Sequence, residues 1–256
     1  MDWRTVPARI GRLAPASRPG RIEKLTGIPA SGWDELGEAF PDLPRGLGAE
    51  AARSRRRLQD LCSRALRSGR WNVHVEGPLP SAGPAVYVSA HVGGLQALRY
   101  VLRARGVPAA TVLGPHNLER SEAERQDRVF DARHPMAFPH VLPAQRVQRL
   151  RTALRSGSVV AAADLPAKAR IEVPFLGGRI AVDPRPMRLA RVARVPCRPA
   201  FLTLPEDGWT LTLGPSLPWD EDRAVATFGG LLARVAARAP WDLDAVVYRG
   251  LVRERH

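Results

Sequence analysis

The run PAVYVSAHVGGLQALRY, residues 84–100, stops an apolar stretch at a histidine and opens a helical pattern after two glycines. His91 is its chemistry-bearing residue, because an imidazole titrates near neutrality and can take a proton from a hydroxyl or an amine. Gly93 and Gly94 let the backbone turn tightly, and N–H groups at the start of the next helix face the place where an oxyanion or phosphate would sit. Gln96 can accept a hydrogen bond from the ring through its amide oxygen. A histidine before a glycine pair is, taken alone, also a common loop residue.

The elements that must hold these residues follow from the hydrophobic periodicity. WNVHVEGP predicts a strand and turn, AVYVSA a short buried strand, and GGLQALRYVLRARG a helix closed by Gly106. ATVLG, SVVAAAD, PCRPAFLTL and WTLTLG predict further strands. LERSEAERQDRVFDA, AQRVQRLRTALRSG, RPMRLARVAR and RAVATFGGLLARVAARAP predict helices between or after them. This alternation implies an α/β fold with a mixed, largely parallel central sheet flanked by helices, its later strands antiparallel. In such a sheet the reactive crevice lies beyond the carboxyl ends of the strands, where His91 falls. Residues 1–70 are expected to form an N-terminal helical arm packed on a main domain of residues 71–256. Within the arm, Leu58, Leu61, Cys62, Ala65 and Leu66 make the apolar stripe of an amphipathic helix whose other face carries Arg53, Arg55, Arg56 and Arg57.

With 256 residues, 45% of them hydrophobic, the chain can bury a substantial core. No window offers the roughly 18 to 20 uninterrupted apolar residues of a membrane span, and the first 25 residues are too broken by Arg, Pro and Gly for a signal sequence. A cytoplasmic location, with peripheral membrane contact left open, is the expectation. The formal charge is +14, and all but Lys24 and Lys168 of the 39 basic residues are arginine. Such a field attracts anions, among them an anionic membrane surface, coenzyme A phosphates or an acidic carrier protein. Nucleic acid is disfavoured, since no zinc-finger spacing or aromatic RNA-binding motif is present and only 6% of residues are aromatic. Cys62 and Cys197 have no metal-ligand or redox spacing and read as structural. His74, His116, His134 and His140 have no partners at recognisable spacing and read the same way.

VEGPLPSAGPAVYVSAHVGGLQ resembles the opening of the lysophospholipid acyltransferase superfamily, in particular its lipid A lauroyl/myristoyl acyltransferase branch. There a strand leads into His-x4-Glu or Asp, usually close to H-F-G-N-W-E, against His91-Val92-Gly93-Gly94-Leu95-Gln96 here. The resemblance continues through GPHNLERSEAE, with Asn117 at the family's asparagine, and through LRTALRSGSVVAAADLP, with Asp164 at an acidic strand end. It runs on through VPFLGGRIAVDP, with Pro174 and Phe175 in the Val-Pro-Phe-Phe-Gly block, and ends in APWDLDAVVYRGLVRER. It covers about residues 71 to 253, and the order and spacing of the blocks carry it.

The resemblance implies acyl transfer from a thioester on acyl carrier protein or acyl-coenzyme A to a hydroxyl or amine acceptor, without a covalent acyl-enzyme and without a metal or cofactor. His91 would be the general base, Gln96 its partner, and backbone N–H groups at Gly93 and Gly94, or in the Gly177-Gly178 loop, the oxyanion donors. Asn117, Arg128, Arg133, Asp164, Phe175 and Gly177 are the expected substrate-binding residues. Arg125 is a further candidate for the family's arginine, and Leu95 and Leu98 for an acyl channel.

Gln96 departs from the family's carboxylate. Three readings follow: Gln96 itself positions His91; another carboxylate, such as Asp164, Glu119 or Glu124, has taken the acidic role; or transfer activity is lost and the fold serves as a lipid-binding or partner subunit. A thioesterase, with water as nucleophile, is a near rival. Residues 1–50 also lack the pattern of the family's N-terminal anchoring helix, Gly94-Leu95 replace Asn-Trp, and Val246 or Val247 stands near the closing tryptophan. A soluble or carrier-bound acceptor, as in specialised-metabolite assembly, is therefore expected over lipid A.

Overall fold

A computed structural model describes residues 23–24, 26, 28–78, 83–114, 121–164, 170–205 and 208–243. A four-residue strand, β1 (Val73–Glu76), follows two helices, α1 (Ala30–Ala39) and α2 (Leu47–Ser68). Then β2 (Val86–Ser89), α3 (Leu95–Ala104), β3 (Ala109–Leu113), α4 (Ser121–Asp131), β4 (Val141–Pro143), α5 (Val147–Ala153) and β5 (Ser158–Ala162) alternate. A hairpin of β6 (Ile171–Phe175) and β7 (Gly178–Val182) precedes α6 (Arg185–Ala193), β8 (Cys197–Thr203), β9 (Trp209–Leu213) and α7 (Glu221–Arg238), and a 3-10 turn, Pro240–Asp242, comes last.

Seven strands form one sheet in the order β1-β9-β8-β2-β5-β3-β4. Every neighbouring pair is parallel except β8 with β9. Sequence periodicity anticipates this sheet, including its antiparallel late pair. It does not anticipate β4 or the separate two-stranded hairpin β6–β7, because VPFLGG carries a proline inside a strand, at Pro174, a residue that usually demotes a strand reading.

The period of two along β2 divides the interior. Val86 and Val88 face one apolar layer, with Phe175 of the hairpin, Met187 of α6, and Phe228 and Leu232 of α7. Tyr87 faces the other, with Leu98, Val101 and Leu102 of α3 and Leu211 of β9. A strand buried on both faces must be a continuous apolar run, which is why AVYVSA lacks polar alternation. Ile28, Trp33, Leu36 and Phe40 around α1, and Leu47, Ala51 and Ala52 of α2, join the first layer, while Leu58, Leu61 and Cys62 of α2 pack on the second. Helix α2 thus touches both layers. Burial pushes the Cys62 and Cys197 thiols up to about 12, so both are inert.

Candidate active site at the tip of β2

Parallel register brings together residues that the sequence keeps 73 apart. Ser89 at the end of β2 lies opposite Ala162 at the end of β5, and the Ala163 N–H donates to the Ser89 carbonyl at 2.8 Å. Each chain then runs two residues past that pair, to His91 and to Asp164. Asp164 Oδ2 accepts the His91 backbone N–H at 2.6 Å, and Oδ1 lies 2.8 Å from His91 Nδ1. A carboxylate oxygen at that distance favours the tautomer that carries its proton on Nδ1. The Asp164 side chain is 1% exposed and the His91 ring 17%, so the carboxylate is shut in while the imidazole reaches the surface.

Gln96 lies elsewhere. It is exposed on the first turn of α3, and its backbone carbonyl accepts from Arg99 at 3.1 Å. The carboxylate paired with the imidazole belongs to Asp164, the second of the three readings of the Gln96 departure.

The glycine pair is required by packing. Gly93 sits at φ 69°, where a side chain is strained, and a Cβ there would collide with the Leu202 carbonyl oxygen; a Cβ on Gly94 would press on the Trp209 ring. Their N–H groups are not the expected oxyanion donors. Gly93 N–H donates to the Asp242 carbonyl at 2.8 Å and Gly94 N–H to the Leu202 carbonyl at 2.6 Å, so both are spent on holding the turn. Of the leading N–H groups of α3, those of Ala97 and Leu98 donate to the Gly94 carbonyl at 2.8 Å and 3.1 Å, which leaves those of Leu95 and Gln96 as candidate donors at this end.

The other expected site residues scatter. Phe175 is buried, edge-on to Phe40 with ring centroids 5.0 Å apart, so it is core and not the wall of an open channel. Gly177 turns the hairpin at φ 79° against the Asp42 carboxyl group, and the Leu176 carbonyl accepts the Asp42 N–H at 3.1 Å. That turn docks on the end of α1 and is no oxyanion loop. Arg128 is exposed on α4, and Arg133 is exposed with its stem along Gly69. Asn117 and Glu119, and the side chains of Glu124 and Arg125, lie outside the described residues, as do His116 and the segment after Leu243.

Two buried carboxylates near the dyad escape sequence reasoning. Asp183 ends the hairpin, and its N–H donates to the Ala163 carbonyl at 2.6 Å, one residue before Asp164. Its carboxylate takes the Arg185 guanidinium at 2.7 Å and 2.9 Å. Asp242 accepts Ser54 Oγ–H at 2.6 Å and Leu204 N–H at 2.8 Å. Burial raises its carboxyl above the usual range, against the pull of those two hydrogen bonds and of Arg55 and Arg57. Nothing local marks Asp242, whose carboxylate gains its partners through distant chain crossings, whereas the Asp183 carboxylate is held by Arg185 two residues on.

A second polar cluster sits behind α3. Arg99 Nη2 donates to Asp127 at 2.9 Å and to the Tyr100 hydroxyl at 2.7 Å. Arg103 reaches Asp131 at 3.4 Å and the carbonyls of Ala109 and Phe138 at 3.2 Å and 3.0 Å. His140 Nε2 lies 2.8 Å from Asp131, and Nδ1 lies 3.3 Å from Asp127 without hydrogen-bond alignment. Here a signal was available: two arginines four apart in an apolar helix match two aspartates four apart in the next.

No family model matches the chain, and no curated protein matches it either. Among the described residues no group of His, Cys, Asp or Glu is arranged to hold a metal ion, and no helix is long and apolar enough to cross a membrane.

Proposed function

We propose that the protein is an acyltransferase in which His91, oriented by Asp164, moves an acyl group from a thioester to a hydroxyl or amine. The observation that carries this reading is the two-point grip of the buried Asp164 carboxylate on the His91 N–H and on a ring that is partly exposed at the strand tip. Asp164 fixes the ring orientation and the tautomer and stabilises the imidazolium, the work a carboxylate does for a catalytic histidine elsewhere. The resemblance of residues 71–253 to the lysophospholipid acyltransferases supports the same chemistry, with Asp164 supplying the carboxylate that Gln96 does not.

In the step proposed, His91 Nε2 takes the acceptor's proton as its oxygen or nitrogen attacks the thioester carbonyl carbon. The carbon–sulfur bond then breaks, and the leaving thiolate takes the proton back from the imidazolium. No acyl-enzyme forms. The Leu95 and Gln96 N–H groups, which open α3 four and five residues after His91, are the donors proposed for the oxyanion, and the helix dipole favours negative charge at that end. The basic field of the chain suits an acidic acyl carrier protein or the phosphates of coenzyme A as donor.

The test is incubation of the purified protein with acyl-coenzyme A or acyl carrier thioesters and candidate alcohols and amines, with products read by mass spectrometry. Acylated acceptor that disappears in His91→Ala is the expected result. Free acid alone would make the enzyme a thioesterase, and thioester consumption unchanged in His91→Ala would overturn the assignment.

A further inference from the structure

The His91 turn is gripped from two sides, and the proposed chemistry uses only one. On the first, Asp164 holds His91 itself. On the second, the next residues are fastened to the chain's C-terminal segment: Val92 bridges Leu243, and Gly93 N–H donates to the Asp242 carbonyl at 2.8 Å. The Asp242 side chain then anchors that segment in the interior. It is 4% exposed, and its two oxygens take Ser54 Oγ–H of α2 at 2.6 Å and Leu204 N–H, just past β8, at 2.8 Å. Leu202, two residues before Leu204, accepts Gly94 N–H at 2.6 Å, so the end of β8 is tied both to the glycine pair and to Asp242. Trp241 Nε1 adds a bond to the Leu204 carbonyl at 3.4 Å.

One side chain therefore closes a loop of contacts running from α2, through the C-terminal segment and the end of β8, to the turn that carries the imidazole. A buried carboxylate is tolerated only when its oxygens are satisfied, and the partners of Asp242 are this set. Removing it would leave the Leu204 N–H and the Ser54 hydroxyl without that acceptor and would unfasten the carbonyl that Gly93 depends on.

We infer that Asp242 is a positioning residue for His91, setting the turn so that the ring meets Asp164. The inference rests on His91 being the working base. It concerns geometry, however, and is read separately from turnover. Asparagine at 242 keeps an oxygen for the Leu204 N–H and offers an NH2 to Ser54 Oγ, so Asp242→Asn preserves the tie, whereas Asp242→Ala deletes it.

The experiment is nitrogen-15 NMR of the histidine rings in full-length protein labelled at histidine, with His91→Ala to assign the His91 signals. In the wild type the His91 Nδ1 proton is expected downfield, as befits a bond to carboxylate. Asp242→Ala should move or broaden that resonance while thermal unfolding stays cooperative, and turnover should fall about 10-fold to 100-fold with little change in KM, the scale of a small misplacement. Asp242→Asn should restore most of both, and Ser54→Ala should fall between. A folded Asp242→Ala with the wild-type His91 resonance overturns the inference, and so does an Asp242→Asn as damaged as Asp242→Ala. Should Asp242→Ala fail to fold, Ser54→Ala decides by the same resonance. If the wild type transfers no acyl group, the NMR comparison still decides the positioning role, and the two failures stay distinct.

Discussion

Among the described residues two His–Asp pairs stand at the same 2.8 Å, in very different surroundings. His91 meets one carboxylate at the tip of a central strand with its ring partly in solvent. His140 is wedged between Asp127 and Asp131, with Arg103 and the Tyr100 and Phe130 rings around it, in a cluster where cations and anions nearly balance. Burial holds the His140 imidazole below its ordinary range, against the raising effect of its aspartates. A histidine–carboxylate distance alone therefore does not mark a catalytic pair. The two differ in exposure, 17% for the His91 side chain against 10% for His140, and in place, since His91 lies past the carboxyl end of β2 and His140 just before β4.

The largest expected effect breaks this comparison at His91. His91→Ala should lower thioester turnover by on the order of 10³ or more, while His140→Gln leaves turnover within about three-fold, measured as initial rates. Asp164→Asn comes next. Its amide can present an NH2 to Nδ1 and favour the wrong tautomer, so turnover should drop by about 10² to 10⁴ with the protein still folded; Gln96→Ala, on an exposed side chain, should stay within about three-fold.

On the other side of the comparison the loss is of stability. Asp127→Ala removes the carboxylate that Arg99 and Tyr100 share and strands a guanidinium that is 2% exposed, which should cost about 3 kcal/mol in denaturant unfolding. The smallest effect is in pH. Because the folded pKa of His140 is lowered, the unfolded chain binds more protons as pH falls through the ordinary imidazole value near 6.5. Its contribution to stability is complete above that value and is lost below it, down to the folded pKa. Midpoints measured from pH 7.5 to 5 should fall with acidity, and His140→Gln should flatten the slope.

What the sequence made legible was local. The buried run AVYVSA, the helix after Gly94, the stop at Gly106 and the late antiparallel strands could be read because a period of two or of 3.6 is set by neighbours along the chain. His91 at a strand tip could be read in the same way. The need for two glycines after it was legible too, but its cause was not. The cause is the close approach of the end of β8 and the Trp209 ring, residues more than 100 positions away.

The identity of the imidazole's partner was decided by tertiary structure. Sequence spacing pointed to Gln96, five residues on, but the first turn of α3 rotates that side chain into solvent. Asp164 reaches the ring because β5, although three strands later than β2 in sequence, inserts beside it in the sheet with matched register. The hydrogen bonds that consume the Gly93 and Gly94 N–H groups likewise come from β8 and from Asp242. Periodicity fixes which residues lie in a strand and which way they face. Strand order is chosen by the packing of whole layers, and that packing brought His91 and Asp164 together.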